Sequence, residues 1–182
     1  MSGLRVAFAG PSGTGKTTLA KYIAERCSIP LNPVGARSVA AAMGFASPYD
    51  VDKAGKRAEF QRRLIDEKIA WETGRASFVT DRTPLDNIAY TAMHDVKAVS
   101  ALLLSDAVRA TRRYTHVIRC TMDGFFAPGD DPARITDPTY HKLYEALISG
   151  LLDEYVSGAR LFTLDDTARE VRQYTVRCVL GV

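Results

Sequence analysis

The chain has 182 residues, of which 46% are hydrophobic and 25% are charged, a balance typical of one globular domain with a sizeable core. Its formal net charge of +3 allows a polyanionic partner without indicating one. Cys27, Cys120 and Cys178 lie far apart, which fits neither a disulfide framework nor a metal-ligand spacing. Because neither a signal peptide nor a membrane-spanning run is apparent in the sequence, we expect a cytoplasmic protein.

The first pattern in the chain is a strand, a glycine-rich loop and a helix. Leu4, Val6 and Phe8 lie in a short apolar run typical of a buried strand. The next segment, GPSGTGKT, has the spacing G-x-x-x-x-G-K-T of a phosphate-binding loop. Its glycines let successive backbone N–H groups converge on one anion, and the following helix directs its positive end to the same place. The expected nucleotide-binding residues are Gly10, Pro11, Ser12, Gly13, Thr14, Gly15, Lys16, Thr17 and Thr18.

Two side chains of this loop are expected to have specific roles. Lys16 can reach the β- and γ-phosphates of a nucleoside triphosphate, and the Thr17 hydroxyl can ligate Mg²⁺. A chance glycine-rich turn would not have every fixed position together with a strand before it and a helix after it. The loop therefore predicts a site for a nucleoside triphosphate with Mg²⁺.

Strands and helices alternate along the rest of the chain. We predict helices near residues 16–27, 56–73, 85–94, 97–112, 139–156 and 167–179. Further strands are predicted at Leu31–Val34 (weakly), Ser77–Thr80, Tyr114–Thr121 and Arg160–Leu164. This alternation predicts an α/β protein, a three-layer α/β/α fold with a five-stranded parallel sheet, in a single domain over residues 1–182. In such a fold, ligands bind beyond the carboxyl ends of the strands.

Asp81 and Arg82 directly follow the third predicted strand, so we expect them beside the glycine-rich loop. Asp81 could hold Mg²⁺ or accept a hydroxyl proton. Arg82 could clamp a phosphate with its planar guanidinium group. A competing explanation is the N-terminal cap of the next helix, a role that Thr83 and Asp86 also suit. Both explanations hold together if different residues take the two roles.

Two later segments add candidates. The loop at about residues 122–138 is long for a compact domain, which predicts a lid. Arg134 is the only cation of residues 124–138 in the sequence, and we expect it to stabilise charge when the lid closes; a solvated loop arginine is the alternative. Asp166 follows the last strand, where it either caps the next helix or contacts the nucleotide.

The helix predicted near residues 56–73 has an unusual distribution of side chains. Two apolar flanks, about 140° apart around the helix, enclose a narrow polar stripe. This arrangement predicts a helix that lines a polar pocket, unless the long stems of the polar residues merely extend past the core to solvent. The stripe comprises Arg57, Gln61, Lys68 and Glu72.

These motifs, in this order, resemble those of the small P-loop kinases, the nucleoside and nucleotide kinases that include thymidylate kinase. The resemblance covers most of the chain through GPSGTGKT, DRTPLDNIAY, DDPAR and LFTLDD, and it is nearest to a short AAA-type ATP-binding branch related to nicotinamide-riboside kinases. In thymidylate kinases an Asp-Arg pair at this strand end serves acceptor-phosphate binding and catalysis, which implies those roles for Asp81 and Arg82. Such kinases often have an acid after the second strand, where LNPVGAR offers Gly35 and Arg37 instead. The base assignment therefore shifts to Asp81.

The resemblance implies a phosphotransferase that uses ATP and Mg²⁺ to phosphorylate a nucleoside- or nucleotide-type acceptor. The acceptor-binding candidates are Arg37, Arg57, Gln61, Lys68, Glu72 and Arg82.

Two alternatives stay open. Some phage enzymes that resemble thymidylate kinase phosphorylate a hydroxymethyl pyrimidine, 5-hydroxymethyluracil, within DNA. The clusters Arg62-Arg63 and Arg109-Arg112-Arg113 would suit such a DNA partner, in the cytoplasm of a host cell. A nucleotide-binding switch with little turnover is the second alternative, although Asp81 and Arg134 argue against it. The sequence leaves the acceptor and the oligomeric state open.

Overall fold

The computed structural model of the protein describes residues 3–124, 126–127, 135 and 137–182. Four strands and eight α-helices occur within these ranges, with a short 3₁₀ turn at Val96–Ala98. In chain order the elements are β1 (Arg5–Ala9), α1 (Lys16–Cys27), α2 (Ala36–Ala42), α3 (Pro48–Lys53), α4 (Arg57–Glu72), β2 (Phe78–Asp81), α5 (Pro84–His94), α6 (Ala101–Thr111), β3 (His116–Cys120), α7 (Pro138–Tyr155), β4 (Leu161–Leu164) and α8 (Arg169–Leu180). Among these helices, none has both the length and the hydropathy needed to span a membrane.

The strands form one parallel sheet in the order β2-β1-β3-β4. The register places Val6 of β1 opposite Val79 of β2 on one side and opposite His116 of β3 on the other. Parallel pairing requires crossover connections, which the helices supply. The carboxyl ends of all four strands therefore lie along one edge, and the glycine-rich loop follows β1 at that edge.

The fifth strand predicted at Leu31–Val34 is reduced to one bridge between Leu31 and Val79. Asn32 N donates to Val79 O at 2.8 Å, and Val79 N donates to Pro30 O at 2.9 Å. The ladder stops there because Pro33 has no N–H to donate. Asn32 then turns the chain locally, since its Oδ1 accepts from Val34 N at 2.9 Å.

Alternation along β1 divides the core between the two faces of the sheet. Val6 and Phe8 pack in a cluster with residues of α1 and α8, such as Leu19. Ala7 and Ala9 pack in a second cluster, which takes residues from α4, α5, α6 and α7. Helices therefore cover both faces, and the predicted three-layer α/β/α fold is confirmed.

A third, smaller core holds α2 and α3 against the first half of α4. The two short helices were missed in the sequence, and they bury one apolar flank of α4 while the other flank, which includes Ile65, packs toward the sheet. The polar stripe of α4 runs between these two packed flanks, as the side-chain distribution predicts. The members of the third core are Val39, Ala40, Val51, Phe60 and Leu64.

Candidate active site at the carboxyl edge of the sheet

The glycine-rich loop curls between the end of β1 and the start of α1. Its first glycine, Gly10, has φ +125°, a conformation that residues with a Cβ rarely adopt. A Cβ at this position would also lie 2.2 Å from the carbonyl oxygen of Cys120 in β3. Glycine is therefore required at position 10 both for its conformation and for its close approach to the neighbouring strand.

Lys16 lies inside this loop with its ammonium group buried. Its Nζ donates to Pro11 O and, at 3.2 Å, to Thr14 Oγ1. Burial, followed by the nearby Arg82 guanidinium, lowers the pKa of Lys16 to about 8. A bound anion would favour the charged ammonium and raise this pKa again. The side chain is thus placed where a phosphate group would stabilise it.

Thr17 and Asp81 meet across the edge of the sheet. Thr17 Oγ1 donates to Asp81 Oδ2 at 2.5 Å, and Asp81 Oδ1 is buried without a hydrogen-bond partner among the described residues. Burial alone would raise the pKa of Asp81, but Lys16, Arg82 and the Thr17 hydrogen bond together lower it. A carboxylate held ionised beside a hydroxyl offers the oxygen ligands that Mg²⁺ prefers. It is a weaker candidate for a general base, which needs a pKa near the working pH.

Arg82 connects the end of β2 to the glycine-rich loop. Its Nη1 donates to Gly10 O at 3.1 Å and its Nη2 donates to Ser12 Oγ at 2.9 Å. The guanidinium also lies 4.9 Å from the ring centroid of Tyr90, whose hydroxyl is 3.2 Å from Ser12 Oγ. The cation predicted to clamp a phosphate therefore lies against the phosphate-binding loop and supports its shape.

Asp86 is fully buried and accepts hydrogen bonds from three directions. Within α5 it completes a capping box, since its Oδ2 accepts from Thr83 N at 2.9 Å and from Thr83 Oγ1 at 2.7 Å. Its Oδ1 accepts from Gly10 N at 3.1 Å and from the Tyr144 hydroxyl at 2.8 Å. The Arg82 guanidinium lies 3.4 Å from the same oxygen. Thr83 and Asp86 thus take the cap role, which leaves Asp81 free to face Thr17.

A family model described as an AAA domain matches residues 5–170. The chain belongs to this family. No curated protein sequence matches this AAA domain.

Solved structures with the same fold have low sequence identity to the AAA domain. NadR in complex with NAD and AMP-PNP superposes with a TM-score of 0.72 at 16% identity, over 100% of this chain and 50% of that chain. The AAA domain therefore spans half the length of the NadR chain. Deoxyadenosine kinase from M. mycoides gives a TM-score of 0.65 at 13% identity, over 98% of each chain. Thymidylate kinase from Ehrlichia chaffeensis gives 0.65 at 15% identity, over 99% of this chain and 100% of that one. The AAA domain has the fold of the small P-loop nucleotide kinases.

The polar stripe of α4 is buried rather than extended to solvent in three of its four members. Gln61 is 2% exposed, and its Oε1 accepts from Asn87 Nδ2 of α5 at 3.0 Å. Lys68 reaches the end of β2, where its Nζ donates to Asp81 O at 2.9 Å. Glu72 lies at the amino ends of the strands, and its carboxylate accepts from Asn32 and Tyr114. The structure therefore brings Gln61 and Lys68 to the site and separates Glu72 from it.

The remaining predicted residues are distributed around the site. Arg57 forms an ion pair with Asp52 of α3, and its Nη2 lies 3.1 Å from His94 Nε2. Arg37 is exposed on α2, and Thr18 is exposed in the first turn of α1. The carboxylate of Asp166 accepts from Thr175 Oγ1 of α8 at 2.8 Å, which is a contact with the next helix. Arg134 and most of the predicted lid lie outside the described residues.

Sequence reasoning missed two groups of residues at this site. Arg172 of α8 is buried, and its guanidinium donates to Thr14 O at 2.8 Å and to Asp166 O at 3.1 Å. It ties the loop to the segment after β4. Asn87, Tyr90 and His94 of α5 face the stripe of α4 or the loop. Their spacing of three and four residues on an amphipathic helix was a signal that could have found them.

Proposed function

We propose that this AAA domain is an ATP-dependent phosphotransferase whose acceptor is a small, uncharged molecule of the nucleoside type with a free hydroxyl group. The observation that carries the proposal is the meeting of Thr17 and Asp81, 2.5 Å apart, beside the buried ammonium of Lys16. A loop hydroxyl and an ionised carboxylate in contact are the pair that holds Mg²⁺ on the phosphates of a P-loop enzyme. The buried, unpartnered Oδ1 of Asp81, judged among the described residues, fits a metal ligand.

In this proposal each residue of the site has one task. The backbone of the loop and Lys16 hold the β- and γ-phosphates of ATP. Thr17 and Asp81 would hold Mg²⁺, which neutralises charge on the phosphates when bound. Arg82 and Asp86 keep the loop in its binding conformation, because both contact Gly10. Transfer then depends on positioning and electrostatic stabilisation, as is usual for phosphoryl transfer.

The charges along α4 favour an uncharged acceptor over a nucleoside monophosphate. A phosphate on the acceptor would need a cation that can turn toward it. Arg57 is paired with Asp52, and the Lys68 ammonium is buried against the end of β2. Gln61 and Asn87 offer an amide pair instead, and Asn87 Oδ1 is buried with no partner in the described part of the chain. Amide groups of this kind can pair with the donor and acceptor edge of a base.

DNA as the acceptor has less support. Four of the five arginines that would suit a DNA partner form ion pairs with carboxylates of the same chain. Their cationic surface is therefore largely neutralised, and non-specific attraction to DNA backbone falls accordingly. The pairs are Arg62 with Asp66 and Asp106, Arg63 with Glu67, Arg109 with Asp106, and Arg113 with Glu72.

The proposal is tested with labelled ATP and separate pools of nucleosides, nucleoside monophosphates, plain DNA and hydroxymethylated DNA. We expect Mg²⁺-dependent label in the nucleoside pool. Asp81→Asn should abolish the transfer, whereas the control Asp66→Asn, which removes a carboxylate from an exposed pair on α4, should not. Label confined to nucleotides or to DNA would refute the uncharged acceptor. ATP binding without transfer to any pool would favour a switch.

A further inference from the structure

The Lys68 ammonium is the most completely enclosed cation at the site, since Lys68 is 1% exposed. Its Nζ donates to Thr80 Oγ1 at 3.0 Å, to Asp81 O at 2.9 Å and to Arg82 O at 3.2 Å. An ammonium group has three donors, and these three acceptors use all of them. Lys68 therefore has no N–H left to donate to the substrate that would be phosphorylated. The sequence predicted that Lys68 binds this substrate.

The three acceptors lie at the end of β2 and in the sharp turn that follows it. Arg82 has φ +80°, a left-handed conformation that is sterically disfavoured for a residue with a Cβ. Its N–H still pairs with Phe8 O of β1 at 2.8 Å, so the turn begins directly after the last ladder bond. Two successive carbonyl groups, those of Asp81 and Arg82, then point to the same atom of Lys68.

The turn sets the directions of the two side chains that the proposed chemistry needs. Asp81 faces Thr17, and Arg82 faces Ser12 and Gly10. A shift of the turn would move the carboxylate away from the Thr17 hydroxyl and the guanidinium away from the loop together. A neutral side chain of the same length would fill the space at position 68, but the Asp81 carbonyl would lose the Lys68 donor, and the Arg82 carbonyl would keep only a long contact of 3.5 Å to Thr80 Oγ1.

We infer that Lys68 is a positioning residue that holds the left-handed turn at Asp81 and Arg82 through its three hydrogen bonds. Its effect on catalysis rests on the proposed function, whereas its effect on the turn does not. Lys68 thus acts through Asp81 and Arg82 and has no contact with either substrate.

The effect on the turn is measured by hydrogen exchange on the protein without nucleotide. Lys68→Met keeps the volume and removes the donors, and we expect exchange at the Arg82 amide to accelerate at least about tenfold. The matched control is Ile65→Ala, which removes a fully buried side chain of the same helix without touching the turn. Unchanged protection at Arg82 in Lys68→Met, or equal acceleration in Ile65→Ala, would overturn the inference. If Lys68→Met does not fold, Lys68→Gln, which keeps amide donors at a shorter reach, takes its place in both measurements.

The effect on catalysis is measured by steady-state kinetics at saturating ATP. We expect Lys68→Met to lower kcat by about 100-fold, since misplacement of a reacting group by an ångström has an effect of that order. The KM for the acceptor should stay within about twofold. A raised KM with unchanged kcat would instead make Lys68 an acceptor-binding residue and overturn the inference. If the wild-type protein transfers no phosphate while exchange at Arg82 responds as expected, the proposed function fails and the role of Lys68 in the turn stands.

Discussion

Asp86→Asn is the substitution whose effect follows most directly from the hydrogen bonds of the site. The asparagine keeps the shape of the side chain but replaces one carboxylate oxygen by an NH₂ group and removes the charge. If the NH₂ group takes the place of Oδ2, it opposes Thr83 N, which donates to that oxygen at 2.9 Å. If it takes the place of Oδ1, it opposes Gly10 N, which donates at 3.1 Å. In either orientation one buried backbone N–H loses its acceptor.

The size of the effect combines two losses. An unpaired buried N–H costs about 1–3 kcal/mol. Arg82 also loses the carboxylate that lies 3.4 Å from its guanidinium, and removing one partner of a buried ion pair costs about 3–5 kcal/mol. Because the Arg82 side chain is 22% exposed, solvent screens part of that second loss. We therefore expect Asp86→Asn to lower the free energy of unfolding by about 3–5 kcal/mol in total.

The measurement is urea or thermal unfolding followed by circular dichroism. For a chain of this size about 3–5 kcal/mol corresponds to a fall in Tm of about 6–20 °C. Asp106→Asn is the matched control, because Asp106 is also buried but its partners Arg62 and Arg109 are exposed arginines. A loss below about 1 kcal/mol for Asp86→Asn, or a loss no larger than that of Asp106→Asn, would refute the reasoning.

Three further predictions concern binding and transfer. Lys16→Ala should lower the rate of transfer by at least about 100-fold in a protein with unchanged Tm, and near-normal turnover would exclude the kinase. Because the pKa of Lys16 is lowered to about 8 in the free protein and bound phosphate favours the ammonium, binding above this pH requires proton uptake. The Kd for ATP, measured by calorimetry, should therefore rise by up to about tenfold per pH unit between about pH 8 and 9.5, and Lys16→Met should remove this dependence. Gln61→Leu should reduce discrimination among acceptor bases by about 1–3 kcal/mol while the Kd for ATP stays unchanged; unchanged preference in the labelled pools would remove Gln61 from base recognition.

The sequence predicted the elements whose signals are local and strong. GPSGTGKT lies between β1 and α1, where the motif requires it. Leu31–Val34 was predicted as a weak strand, but Pro33 stops the ladder after Asn32. The helices α2 and α3 are short and were missed, although Ser47 before a proline is a cap signal: its Oγ accepts from Asp50 N at 3.3 Å.

The site was predicted in part, because a sequence gives the types of side chains but not their partners. The polar stripe on α4 was found from its spacing, and three of its four members, Gln61, Lys68 and Glu72, are buried. The spacing of residues along α4 does not predict that the Lys68 ammonium donates to the backbone carbonyl groups of Asp81 and Arg82. These carbonyl groups reach Lys68 because Arg82, which is not glycine, adopts a left-handed conformation. Glu72 lies four residues after Lys68, and along a helix this step carries it toward the other edge of the sheet.

The single bridge at Leu31 also bears on how this protein avoids association with other chains. It leaves β2 almost at the margin of the sheet, where free N–H and C=O groups would invite a foreign strand to add. The outward groups of Val79 are taken by Pro30 and Asn32, and the carbonyl of Asp81 is taken by the Lys68 ammonium. The backbone of Pro30 and Asn32 and the buried Lys68 ammonium thus block intermolecular strand addition at the margin nearest the Asp81 carboxylate. Substitutions that expose the backbone groups at this edge of β2 should therefore cause aggregation before they weaken nucleotide binding.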